Sequence, residues 1–226
     1  MDDDIGVDIP SEDDVAGYAS SAGDVEDGVH SEDDVTDNSS GHILGDEQEK
    51  ELFHATPKDI ALVRSMFSLP PELTTHILDL AEYWAYSQRT CTAPDHFYDA
   101  NVRYLQSDPI VGGDFTYPLR RLVITTVSKD QGWSSYPETQ GTREGSWTWF
   151  ELTLDDGKTG GEIVRVEIVR NIHAGSEFER YQAVIEDERI LGQAKKGDTL
   201  SVWARAMYPG WCNHVRSVQI ETWSAS

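Results

Sequence analysis

The sequence predicts a mainly β protein, in which one or two amphipathic helices lead into an antiparallel, jelly-roll-like β-sandwich. Two observations carry this prediction. After residue 115 at least six short segments alternate apolar and polar residues between turns rich in Gly and Asp, and no long helical segment separates them. We predict a disordered acidic tail at residues 1–52, a helical segment at residues 53–90 and the β-sandwich domain at residues 91–226.

The N-terminal segment is strongly acidic and low in complexity. Residues 1–50 hold 17 Asp and Glu against a single base, Lys50, and the motif SEDDV occurs twice in them. Such a segment buries too little apolar surface to offset its ordering entropy, which predicts disorder. The rest of the chain carries a net charge of -7. Because nucleic-acid binding relies on a basic patch, we expect no nucleic-acid partner.

Two helices are predicted ahead of the sandwich. Thr56 suits an N-cap and Pro57 the first helical position of a helix that runs to about Met66. A second helix starts at Leu69-Pro70-Pro71-Glu72 and is predicted to end near Ser87. Its apolar residues, at the helical spacing of 4, 3 and 4, are Leu73, Ile77, Leu80 and Trp84. We expect the sandwich to cover most of this apolar stripe.

The remaining elements are predicted in chain order. Residues 95–105 are interpreted as a short helix or irregular turns. The predicted strands cover residues 120–127, 146–154, 162–170, 181–185, 200–206 and 214–223. In the second of these strands Phe150, Leu152 and Leu154 are predicted to face the core, so that Trp147 and Trp149 point the other way. The Asp155-Asp156-Gly157 segment is predicted to form a hairpin turn.

The sequence shows no set of residues with the spacing of a catalytic or metal site. Seven histidines share no ligand-like spacing, and Cys91 and Cys212 are far apart, which is not a zinc pattern. A nucleophile elbow and a phosphate loop are both missing. We therefore expect no catalytic residues, no metal and no cofactor, with Cys212 as a small buried side chain. A cryptic enzyme is a further alternative, and it would need convergent titratable groups in one pocket.

Aromatic residues near the predicted loops and strand ends are the candidate binding residues. The candidates are Trp133, Tyr136, Trp147, Trp149, Tyr208, Trp211 and Asn213. Flat rings beside polar groups suit the stacking of sugars or the gripping of a peptide. The alternative is that the rings fill a second apolar layer. Exposure of the rings distinguishes the two interpretations.

The sequence also bears on the compartment. The first residues lack the basic and apolar regions of a signal peptide, and no apolar run reaches the length of a transmembrane helix. Two distant cysteines form no disulfide framework, which is typical of a reducing compartment. We expect an intracellular protein, cytoplasmic or nuclear, without a membrane partner.

The second predicted helix resembles the opening of an F-box. The matching residues are Leu69-Pro70-Pro71-Glu72-Leu73 followed by Ile77-Leu78, and the match ends at Trp84. F-boxes dock on the adaptor subunit of cullin-based ubiquitin ligases. The resemblance implies a partner-binding helix surface made of Leu69, Pro70, Leu73, Ile77, Leu80 and Trp84.

A wider resemblance links most of residues 65–223 to a group of uncharacterised fungal proteins. It rests on LPPEL and HILDLAEYW in the second helix, on GSWTWFEL at residues 145–152 and on VWARAMYPGWCNHV at residues 202–215. The resemblance supports the helical and sandwich parts but implies no activity and no catalytic residues. Our leading hypothesis is a non-enzymatic interaction module related to F-box substrate receptors. The alternative is a sandwich that binds a carbohydrate or another small ligand.

Overall fold

The computed structural model describes residues 54–225, so the predicted acidic tail at residues 1–52 lies outside the described residues. Two helices precede nine strands, and a short third helix lies between strands. The elements are α1 (Pro57–Met66), α2 (Pro71–Leu80), β1 (Ala85–Cys91), β2 (Asp95–Tyr98), β3 (Ala100–Gln106), β4 (Leu119–Lys129), β5 (Thr148–Asp155), β6 (Glu162–Arg170), β7 (Glu179–Val184), α3 (Glu188–Leu191), β8 (Thr199–Ala206) and β9 (Cys212–Ser224). None of the helices in this part of the chain is long and apolar enough to cross a membrane.

The strands form two antiparallel sheets with the strand order of a jelly roll. In the first sheet the order is β1-β9-β4-β7, and β2 pairs with the same strand β9 as β1 does. In the second sheet the order is β3-β8-β5-β6. The order β2-β9-β4-β7 opposite β3-β8-β5-β6 is the arrangement of a jelly roll, with β1 added at one edge. The predicted fold class is confirmed.

The core between the two sheets follows the predicted alternation. Phe150, Leu152 and Leu154 of β5 are completely buried, because successive side chains of a strand point to opposite faces. They pack in one cluster with Leu122 of β4 and Ile220 of β9. Each fully buried side chain of this kind contributes about 1.5–3 kcal/mol through the removal of apolar surface from water.

The prediction for residues 95–105 was wrong, since this segment forms β2 and β3. Phe97 of β2 is buried in the core, but most of its neighbours are exposed. The strands are held by partners more than 90 residues away, with His96 opposite His214 and Ala100 opposite Ala206. Because few side chains of these strands are buried, the segment shows little apolar alternation. Pairing with distant strands determines its conformation instead.

Helix α1 begins and ends as predicted. Asp59 N–H donates to Thr56 Oγ1 over 3.3 Å, and Thr56 N–H donates to Asp59 Oδ2 over 2.8 Å. This reciprocal pair is a capping box that satisfies backbone donors at the helix start. Pro57 stands in the first turn, where its missing N–H costs nothing.

Helix α2 ends at Leu80 and not near Ser87, as the sequence pattern had predicted. Glu82 adopts a positive φ of 53°, and the N–H of Tyr83 donates to the carbonyl of Leu78 over 2.9 Å. The left-handed backbone conformation of Glu82 ends the helix. The chain then enters β1 at Ala85, so residues 85–90, which were predicted to belong to the helical segment 53–90, form a strand of the sandwich.

The expectation that the sandwich covers the apolar stripe of α2 was also wrong. Leu73 and Ile77 are exposed, and Leu80 is 86% exposed. The buried residues of the helix are instead Thr74, Thr75 and Leu78, and Leu78 packs in a small cluster of its own. The hydroxyl of Thr74 donates to the Pro70 carbonyl over 3.3 Å, which satisfies this buried group within the helix, whereas the buried hydroxyl of Thr75 finds no partner among the described residues.

Candidate functional site

A pocket lined by aromatic rings lies at one end of the sandwich. It is formed by the loop that follows β4 and by the loop between β8 and β9, and its volume is about 440 Å³. Pockets for small ligands usually fall in the range of about 300–1,000 Å³. Its lining residues are Gln131, Trp133, Ser134, Ser135, Tyr136, Trp147, Tyr208, Pro209, Gly210 and Trp211. Five of the seven predicted binding residues therefore meet in one place, and we call this site the aromatic pocket.

The rings of the aromatic pocket are open to solvent. Trp133 and Tyr136 are 61% and 62% exposed, and Tyr208 is 50% exposed. Exposed apolar side chains scattered singly need no explanation, but a group of large rings in one concavity is typical of a binding site. The exposure contradicts the alternative that these rings fill a second apolar layer.

The loop between β8 and β9 holds Tyr208 in an unfavourable backbone conformation. Its φ is 74°, and such a value is uncommon for a bulky residue and costs about 1–3 kcal/mol. The conformation brings the Tyr208 ring edge-on against Trp147, with 4.9 Å between ring centroids. Met207 N–H donates to the Trp147 carbonyl over 2.9 Å, which ties β8 to the start of β5. The strain is therefore located at a residue that shapes the pocket.

One glycine turn, one hydrogen bond and one ring contact shape the pocket walls. Gly210 has a φ of 93°, and a Cβ at this position would lie 3.8 Å from the Trp133 ring. Gln131 Nε2 donates to the Trp133 carbonyl over 2.8 Å. Trp211 packs on the buried ring of His173, with 5.3 Å between centroids.

A buried polar network joins β4, β5 and β9 next to the aromatic pocket. Asp130 is completely buried, and its carboxylate accepts bonds from Thr148 Oγ1 over 3.1 Å and from Ala174 N–H over 3.0 Å. Burial raises the pKa of Asp130, although these bonds oppose the rise. Asn171 Nδ2 donates to Thr148 Oγ1 over 2.9 Å and to Asn213 Oδ1 over 3.0 Å. Such satisfied buried networks rigidify a structure.

Two predicted binding residues, Asn213 and Trp149, do not reach the aromatic pocket. Asn213 is completely buried, and its amide donates to the carbonyls of Trp149 and Arg205, each over 3.2 Å. Trp149 is only 5% exposed, because the guanidinium groups of Arg170 and Arg205 lie over its ring at 4.8 and 5.2 Å. The predicted outward direction of Trp149 was right, but long arginine side chains cover the outer face.

The structure also brings together three side chains that the sequence spacing had not connected. His96 of β2 and His214 of β9 approach with 2.7 Å between their Nδ1 atoms. Cys212 lies beside them, and one ligand atom from each of the three residues falls within 4.8 Å of the others. The only local signal was the spacing Cys-x-His, which places Cys212 and His214 on one face of a strand.

The predicted partner helix residues lie mainly on an exposed surface formed by α1, α2 and the link between them. We call it the helical apolar surface. Its exposed residues are Leu62, Met66, Phe67, Leu69, Leu73, Ile77 and Leu80. Trp84 is half-buried and stands apart from this surface, because its Nε1 donates to Asp79 Oδ1 over 2.8 Å in the turn after α2.

Comparisons with known proteins add little to this description. Neither a protein-family model nor a curated protein matches the chain. Among solved structures, the chain is similar to the enzymatically active domain of tailspike protein 4 from bacteriophage CBA120. The likeness has 13% sequence identity and a TM-score of 0.30, and it covers 60% of this chain and 19% of the tailspike chain. At this level the likeness supports no conclusion about fold or function.

Proposed function

We propose that the chain is a non-enzymatic binding protein whose β-sandwich binds a carbohydrate in the aromatic pocket. The observation that carries the proposal is the grouping of Trp133, Tyr136, Trp147, Tyr208 and Trp211 around one open cavity, with three of the rings at least half exposed.

The chemistry of the pocket favours a neutral ligand with both apolar and polar faces. None of its lining side chains carries a formal charge at neutral pH, which disfavours a phosphate or a carboxylate as the recognised group. Indole and phenol rings offer flat apolar surfaces, while Gln131, Ser134 and Ser135 supply hydrogen-bonding groups in the same cavity. A sugar ring presents C–H groups on its faces and hydroxyls at its edge, and it matches both features.

A glycan array probed with the full chain tests the proposal. A positive glycan is then titrated into the protein, with tryptophan fluorescence as the signal. Truncation of an aromatic anchor that a bound partner covers commonly costs 2 kcal/mol or more, so Trp133→Ala and Tyr136→Ala should weaken binding at least about tenfold. Tyr117→Ala removes an exposed tyrosine outside the aromatic pocket and should leave binding unchanged. An array without signal, or equal losses in all three variants, would contradict the proposal.

A second candidate function is protein docking through the helical apolar surface. Large exposed apolar side chains that recur along a helix are typical of interaction sites, and amphipathic helices commonly present such faces to a groove. We propose the adaptor subunit of cullin-based ubiquitin ligases as the partner, because Leu69 to Leu73 carry the F-box-like motif and Leu73, Ile77 and Leu80 are exposed.

Binding of the purified adaptor to the full chain, measured by calorimetry, tests this second function. Leu80→Asp places a charge within the proposed contact, at the end of α2, and should abolish binding. Ile163→Asp changes an exposed apolar residue of β6 and should have no effect. Absence of binding by the unchanged protein would remove this function. An intracellular location, cytoplasmic or nuclear, belongs to the same proposal, and it fits two cysteines that are free thiols.

A further inference from the structure

The pairing of β2 with β9 collects four side chains on one face of the first sheet. His96 stands directly opposite His214, and Tyr98 stands directly opposite Cys212. Residues two apart on a strand share a face, so these four side chains lie together. The residues between them point the other way, and Phe97 is buried in the core. The register of the two strands therefore builds the cluster.

The geometry of the cluster is close to that of a three-ligand metal site. The ligand atoms of His96, Cys212 and His214 lie within 4.8 Å of one another. Zinc–nitrogen bonds of about 2.0–2.1 Å in a tetrahedral site would place two imidazole nitrogens about 3.3 Å apart. The two Nδ1 atoms are 2.7 Å apart, at hydrogen-bonding distance, so binding an ion requires the exposed His96 ring to move outward and to exchange this direct contact for two metal bonds.

We propose that His96 Nδ1, His214 Nδ1 and Cys212 Sγ bind one zinc ion, with water in the fourth position. A thiolate and two imidazoles are ligands that zinc prefers, whereas magnesium and calcium prefer oxygen. The fourth position is open because His96 lies on the exposed side of the cluster. The inference is independent of the function proposed for the aromatic pocket.

The outer groups around the sulfur come from β2. Tyr98 stands directly opposite Cys212, and its hydroxyl is a hydrogen-bonding group on the same face. Hydrogen bonds from such outer groups orient metal ligands and tune them. The nearest cation across the sheet is Lys129, opposite His214 on β4. Its ammonium group donates to the Ser176 carbonyl over 2.7 Å.

The test is a titration of the full, chelator-treated chain with Zn²⁺ by calorimetry and with Co²⁺ by absorption spectroscopy. We expect tight binding of one zinc ion, and for cobalt a thiolate-to-metal charge-transfer band together with the visible bands of a tetrahedral site. Absence of tight Zn²⁺ binding, or a cobalt spectrum without the thiolate band, would overturn the proposal. An equal affinity for Mg²⁺ would overturn it as well.

Matched variants assign the ion to this cluster. His96→Ala should weaken zinc binding by at least about 10- to 100-fold, the range found when only an outer-shell partner is lost. His76→Ala changes another exposed histidine and should retain full affinity.

Cys212→Ser should remove the cobalt charge-transfer band, whereas Cys91→Ser should not. If the buried Cys212 variant fails to fold, the histidine pair decides alone, and equal affinities of His96→Ala and His76→Ala would refute the site. Both variants keep His30 and His42, so any zinc bound by these residues contributes equally and does not affect the comparison.

Discussion

At the scale of single residues, burial separates the aromatic side chains into two roles. Trp133 stands 61% exposed in the aromatic pocket, whereas Trp149 is only 5% exposed beneath Arg170 and Arg205. The indole N–H of Trp149 also donates to Glu151 over 2.8 Å. The first ring is available to a ligand, and the second stabilises the outer face of the second sheet.

This division predicts opposite effects of two similar substitutions. Trp149→Ala should lower the free energy of unfolding by about 3–5 kcal/mol, because it removes a buried ring and leaves a cavity. Trp133→Ala should change it by no more than about 0.5 kcal/mol, as for other exposed positions. Urea unfolding followed by circular dichroism measures both. Equal losses of stability in the two variants would show that the division is wrong.

At the scale of elements, helix α2 attaches to the rest of the molecule through its less apolar face. Leu78 is buried with Ile60 of α1 and Ala85 of β1, whereas Leu80 faces solvent. We expect Leu78→Ala to lower the free energy of unfolding by about 2–5 kcal/mol. Leu80→Ala should lower it by less than about 0.5 kcal/mol. Thermal or urea unfolding of the pair checks this, and a large effect of Leu80→Ala would mean that its side chain is covered.

An ion pair links α2 to β4 and predicts a pH dependence. Arg120 Nε donates to Asp79 Oδ1 over 2.9 Å and Arg120 Nη2 to Asp79 Oδ2 over 3.1 Å. Burial of the Asp79 carboxyl favours its neutral form, but the bonds from Arg120 and Trp84 outweigh burial and hold its pKa below the ordinary value of 3.8.

Because the pKa of Asp79 is lower in the folded state, the pair stabilises the protein above about pH 4, and this contribution is lost as the pH falls through the folded pKa. Asp79→Asn should cost about 1–3 kcal/mol at pH 7 and progressively less towards pH 3. Urea midpoints measured from pH 7 to pH 3 check this. A difference between the two proteins that stays constant with pH would contradict it.

At the scale of the whole molecule, the residues that the structure describes form two apolar clusters of very different size. The sandwich core contains 18 buried apolar residues, whereas the cluster beneath the two helices contains four. Regions with few buried apolar contacts open locally at low free energy. The helices are therefore the part of the described chain that we expect to open first.

Hydrogen exchange of the native protein measures this difference. Backbone amides of α1 and α2 should exchange at least about tenfold faster than those of the central strands β4, β5 and β9, since each 1.4 kcal/mol of opening free energy changes the rate about tenfold. The paired amides of β1 serve as an internal comparison, because β1 joins the same small cluster but is hydrogen bonded to β9. Uniform protection across helices and strands would show one cooperative unit.

Much of the fold was predictable because its signals are local. The alternation of Phe150, Leu152 and Leu154 indicated a strand with one face in the core, and the Thr56 and Pro57 pair indicated the start of α1. Segments β2 and β3 were missed because their pairing partners are distant in sequence. The length of α2 was overestimated because the apolar spacing continues to Trp84, although Glu82 reverses the chain before it.

The candidate sites show the same limit. Local composition was enough to single out Trp133, Tyr136 and Tyr208, since exposed loops rich in rings are typical of binding sites. It was not enough to exclude Trp149, because the arginines that cover this ring come from β6 and β8. His96 and His214 are 118 residues apart, and only the register of β2 on β9 brings their rings together.

The sequence by itself determined the class of the fold, since a period of two and turn residues are properties of neighbouring positions. It also indicated that Trp133, Tyr136, Tyr208 and Trp211 lie in loops and turns, but it placed Trp147 in a strand that begins only at Thr148. Only the tertiary structure decided which strands pair, which face of α2 is covered and which side chains meet. These outcomes depend on contacts between distant segments, and the local pattern of either segment does not predict the energies of those contacts.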